Sequence, residues 1–109
     1  MISDEDVEKA IDYLRDNAET AAQASANRVY IEQFRKSLKA QLRQKAPVRA
    51  QGDKDDFAYA HPEYLDLLDG LKVAVFEHEQ HRYLIAAAQA KIEAWRTQSS
   101  NQRALSIVV

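Results

Sequence analysis

The stretch VFEHEQHRYL, residues 75–84, holds the side chains of this sequence best suited to chemistry: His78 and His81, three apart, flanked by Glu77 and Glu79. On a helix these histidines lie on adjoining faces, and Glu77 is an i,i+4 neighbour of His81. A helical zinc site needs such a pair plus a third ligand from another element, and a di-iron bundle needs Glu-x-x-His on two helices. Glu77 is followed three residues on by Gln80, and Glu79 by Arg82, so the di-iron motif is absent, and the first helical stretch contains no histidine. The reading these residues favour is a buried polar layer that fixes helix register, formed by Arg28, Tyr30, Glu32, His78 and Arg82. Arg82 needs a carboxylate in such a layer, and Glu32 is the sole acid between residues 28 and 49. No metal or cofactor is expected.

A second pattern lies in RVYIEQFRKSLKAQLRQK, residues 28–45, where bases mix with Tyr30 and Phe34. Arg28, Arg35, Lys39 and Arg43 come near to one helical side, as a face that tracks phosphates requires. The competing expectation is a face neutralised by neighbouring acids. Catalysis finds no foothold: there is no cysteine, no glycine-rich phosphate loop and no serine in a nucleophile elbow. The expected role is therefore non-enzymatic.

The elements that position these residues follow from composition and period. The 109 residues make one domain, with 46% hydrophobic and 29% charged residues, as in ordinary soluble proteins. Two glycines and two prolines permit long helices and disfavour a turn-rich sheet. No apolar run approaches the roughly 20 residues of a membrane span, and the acidic start MISDEDVEK is unlike a signal peptide, so a cytoplasmic location is expected. A capping box at Ser3 and Asp6 opens a helix over 4–46, with a stripe through Val7, Ile11, Leu14, Ala18, Ala21, Ala22, Ala26, Tyr30, Phe34, Leu38 and Leu42. Residues 47–61 read as a loop with a short helical turn. Pro62 opens a second helix over 62–99, its stripe running from Tyr64 through His78 and Arg82 to Trp95, which is placed opposite Tyr13 and Leu14. Gly70 is either a point of close approach or a break. Residues 100–109 read as a tail whose ALSIVV end folds back or docks on a partner's sheet edge.

These expectations combine into an all-α fold, a long antiparallel hairpin folded about residues 54–55. The hairpin superposes the alanine clusters at residues 18–26 and 86–90. Charge agrees: residues 1–27 hold seven acids and two bases, residues 28–49 one acid and seven bases, residues 50–80 eight acids and two bases, and residues 81–109 one acid and four bases. Antiparallel folding sets each acidic block beside a basic one. A lone hairpin buries little, and apolar residues off the stripes (Tyr13, Val29, Ile31, Leu65, Phe76, Tyr83) call for a second copy, giving a dimeric four-helix bundle or coiled coil.

The segments NRVYIEQFRKSLKAQL, AYAHPEYLDLLDGLKVAVFEHEQHRYL and AKIEAWRTQSSNQRA together resemble a group of small helical proteins of tailed phages and prophages, over roughly residues 25–103. The resemblance implies context: a bacterial host cytoplasm, neighbouring replication or recombination genes, and an accessory or interaction role. It carries no catalytic or binding residue.

Overall fold

A computed structural model describes residues 1–108, in three helices: α1 Asp4–Lys45, α2 Gln51–Ala60 and α3 Pro62–Val108. The described residues contain no strand, and none of their helices is long and apolar enough to cross a membrane. Two compact units share α1 and α3: Met1–Ala22 with the chain from Gln80 on, and Gln23–Glu79.

In the first unit, the Ser3 and Asp6 box closes as expected. The Asp6 amide donates to Ser3 Oγ and the Ser3 amide donates to Asp6 Oδ2, both at 3.1 Å. Two of the amides orphaned at a helix start are thereby satisfied. The Ser3 backbone and side-chain bonds hold the Asp6 carboxyl below its ordinary value of 3.8, with Lys91 and Lys9 adding to the effect. Because the folded value is depressed, this stabilisation is present above pH 3.8 and is lost as pH falls through the folded value. Urea midpoints of the wild type and Asp6→Asn should differ by a constant amount from pH 8 to 5, and the gap should close below pH 3.8. A gap that widens on acidification would contradict this.

The two segments of this unit run antiparallel. Gln98 Nε2 donates to the Ile2 carbonyl at 2.8 Å, its Oε1 accepts from the Ile2 amide at 3.1 Å, and Trp95 Nε1 donates to Asp4 Oδ1 at 2.8 Å. Trp95 therefore closes the end against the first turn of α1, more than two turns from the Tyr13 and Leu14 position expected of it. An indole N–H seeks an acceptor, and a carboxylate at a helix start supplies one. Val7, Ala10 and Ala88 are buried here.

The second unit holds the larger packed cluster: Leu38, Leu42, Ala58 and Tyr64, with Leu67 against it. Here the expected loop is replaced by a ten-residue helix, α2. Such a short helix is marginal alone and persists by docking. The Ala58 methyl is wholly buried, the Tyr59 and Tyr64 rings meet edge to face at 5.3 Å, and Asp55 accepts from Arg43 at 2.9 Å. The chain then turns at His61, whose Nδ1 accepts from the Glu63 amide as α3 begins at Pro62.

The stripe expected on α1 departs from the observed inner face in its middle. Ala10 and Ala24 are buried and Ile31 half-buried, whereas Ile11, Tyr30 and Phe34 are exposed. Two tracks of three- and four-residue steps share Val7, Leu14, Ala21, Leu38 and Leu42. Between them the helix turns inward the track through Ala24, Arg28 and Ile31.

Gly70 neither breaks α3 nor meets a neighbour: a Cβ there would have nothing within 4 Å. Gly70→Ala should raise the unfolding free energy by about 1 kcal/mol, read as an upward shift in the urea midpoint. A drop would reveal a contact at this position. The expected tail is also corrected: α3 continues to Val108, with Ser106 Oγ donating to the Gln102 carbonyl at 3.0 Å. No glycine or proline after Gly70 stops the helix, and the cost of Ile107 and Val108 in a helix is small. The final residue of the expected tail, 109, lies outside the described residues.

Candidate functional site

The polar layer forms in the second unit around Arg28. Its Nε donates to Glu32 Oε1 at 3.0 Å, and its Nη1 reaches both Glu79 Oε1 and His78 Nδ1 at 3.2 Å. A guanidinium can only donate, so His78 Nδ1 accepts and the ring carries its proton on Nε2. The Glu32 hydrogen bond is the main cause holding Arg28 above its ordinary value; partial desolvation opposes it, and Glu79 adds to it. These side chains remain 29–38% exposed, so water screens the pairs and the layer sets register more than it adds stability.

Three of the five residues expected in this layer are brought together: Arg28, Glu32 and His78. Tyr30 is not among them. It is 66% exposed and stacks on Phe34 with ring centroids 6.1 Å apart. The Arg82 guanidinium lies 5.2 Å from the Tyr83 ring centre. Glu32, the sole acid between residues 28 and 49, is joined there by Glu79 from α3. Its place in an acid-rich block of alternate charge was the available signal. His81 Nδ1, in the first unit, is buried without a hydrogen-bond partner. Among the described residues, no three His, Asp or Glu side chains gather closely enough to hold a metal ion.

The basic face resolves differently. Of the four candidate nucleic-acid contacts, Arg28 is held by Glu32 and Glu79, while Lys39 at 3.6 Å and Arg43 at 2.9 Å share Asp55 Oδ1. Arg43 also bonds Gln51. Lys39 lies 4.5 Å from the Tyr59 ring centre. Hydrogen bonding to Tyr59 is the leading cause raising Lys39 above its ordinary value; partial desolvation opposes it, and Asp55 adds to it. Three of the four cations thus hold helices together. Arg35, the fourth, is exposed, and no carboxylate among the described residues comes within ion-pair reach of it.

No family model, curated protein or solved structure matches this chain.

The surface itself offers a different kind of site. Val7, Leu38, Leu42 and Tyr64 are the only residues larger than alanine in the buried apolar set of the described residues, and the other five members are alanines. Among the described residues, fifteen large apolar side chains are exposed, including Val29, Tyr30, Phe34, Leu65, Leu68, Val73 and Phe76 in the second unit. The first unit adds a shallow apolar groove of about 290 Å³, walled by Tyr13, Leu84 and Ala87 and rimmed by Lys9 and Lys91. Such surfaces mark places where protein meets protein.

Proposed function

We propose that this chain is a non-enzymatic interaction protein that acts as a homodimer, two copies packing their exposed helical faces into a four-helix bundle. The observation that carries the reading is the inverted burial: more large apolar side chains lie outside than inside. The accessible surface is 8047 Å², whereas a folded monomer of 12.4 kDa exposes roughly 6,100 Å². The surplus is of the size that a stable interface buries, and a second copy offers matching apolar faces by symmetry. The resemblance to small helical phage and prophage proteins supports a setting in the host cytoplasm, as an accessory factor in DNA recombination or replication. Direct nucleic-acid binding along the whole of residues 28–45 is disfavoured, because acids already occupy Arg28, Lys39 and Arg43.

Sedimentation velocity at tens of micromolar should give twice the 12.4 kDa chain mass. Phe34→Glu combined with Phe76→Glu should move the distribution to monomer. A wild type that sediments at 12.4 kDa with full helicity would overturn the reading.

A further inference from the structure

Arg35 stands seven residues after Arg28 and seven before Leu42, on the inward track of α1. Two carboxylates answer Arg28 and packing surrounds Leu42, but Arg35 receives neither. It lines instead an open cavity of about 370 Å³, together with Lys36, Lys39, Tyr59 and Tyr64. Three cations thus border one space within five residues of helix, and Arg35 and Lys39 are an i,i+4 like-charge pair, which is unfavourable on its own. Two acids lie near them: Asp55 is closer to Arg43 than to Lys39, and Glu32, one turn before Arg35 and Lys36, is bonded to Arg28. The unbalanced group on this wall of the cavity is positive.

We infer that this cavity binds the phosphate of a nucleotide, either free or at the 5′ end of a single nucleic-acid strand. Arg35 supplies a fork of donors suited to phosphate oxygens, and Lys36 and Lys39 supply compact charges beside it. Bare phosphate would leave most of the space empty, whereas the volume falls within the range of small-ligand pockets. The Tyr59 ring, 45% exposed at the cavity wall, carries Lys39 over one face, so a base would meet the exposed part of the ring beside that cation. Lys39 and Tyr59 already hold α2 in place, so Arg35 and Lys36 are the residues that can be removed without disturbing the fold. This inference is independent of the dimer: the cavity lies within one unit of one chain.

The test uses the full chain at 50 mM salt, with adenosine monophosphate and inorganic phosphate followed by calorimetry. A short oligothymidylate labelled at its 3′ end, with and without a 5′-phosphate, is followed by fluorescence anisotropy. The 5′-phosphorylated strand or the mononucleotide should bind about tenfold more tightly than the unphosphorylated strand and inorganic phosphate. Arg35→Ala with Lys36→Ala should remove that preference at unchanged Tm, whereas Lys45→Ala with Arg49→Ala should keep it. Whichever phosphorylated probe binds more tightly identifies the source of the phosphate. The inference is overturned if no probe saturates below millimolar concentration, or if neither the mononucleotide nor the 5′-phosphorylated strand binds more tightly than the unphosphorylated strand. Equal binding of inorganic phosphate, or an equal loss in the Lys45 and Arg49 control, would also overturn it.

Discussion

Leu42→Ala should lower the unfolding free energy by about 3 kcal/mol, the largest effect expected of any single truncation in this chain. Leu42 is the one large side chain among the described residues that is wholly buried, and it sits where α1, α2 and α3 converge on Leu38, Ala58 and Tyr64. Removing it deletes apolar contact and leaves a cavity. The neighbouring Ala58 cannot refill that space, because its side chain is a single methyl. Stability of small domains is itself only about 5–15 kcal/mol, so the urea midpoint should fall by a large fraction. Leu105→Ala, at an exposed position near the end of α3, should shift it by no more than about 0.5 kcal/mol. Equal effects at the two positions would show that the cluster is not the core.

Tyr64→Ala comes next, at about 3 kcal/mol, and it tests how α2 is held. The Tyr64 ring is buried against Leu38 and Leu42 and meets the Tyr59 ring of α2 edge to face. Truncation removes both contacts, so α2 should loosen along with the core. Tyr64→Phe keeps the ring and should cost under about 1 kcal/mol. Because Leu42 and Tyr64 belong to the same packed cluster, the double mutant should cost less than the sum of the two singles, a coupling that a double-mutant cycle in urea would read. Strict additivity would mean that the two residues belong to separate clusters.

The parts of this fold legible in the sequence are those set by local chemistry. Ser3 with Asp6 and Pro62 announce the starts of α1 and α3, because capping and a fixed proline φ act within one turn. The charge blocks correctly bring Arg28 to the His78 and Glu79 stretch. What escaped was set by tertiary contact. QGDKDDFAYA has a glycine, three aspartates and few apolar residues, so its pattern reads as loop with one short helical turn; α2 spans all ten residues because Asp55 and Ala58 find partners on α1. In the middle of α1 the expected stripe follows Tyr30 and Phe34, the larger hydrophobes. The helix instead turned Arg28 and Ile31 inward, since Arg28 alone could meet a histidine and a second carboxylate. The candidate phosphate contacts were half legible for the same reason. Sequence shows where bases cluster, but Asp55, an acid from the unpredicted helix, decides which of them are spent on the fold.

The scarcity of large buried side chains reaches beyond packing to abundance. For the proposed dimer, folding and association are one equilibrium, and each tenfold dilution removes about 1.4 kcal/mol from the assembled state. Among the described residues, Val7 in one unit and Leu38, Leu42 and Tyr64 in the other are the buried apolar side chains larger than alanine, which leaves little to offset that loss. The amount of chain synthesised would then set the fraction that is folded. For that dimer, at low expression, the lone chain would present Tyr30, Phe34 and Phe76 to proteases and chaperones, and gene dosage would set the threshold for assembly.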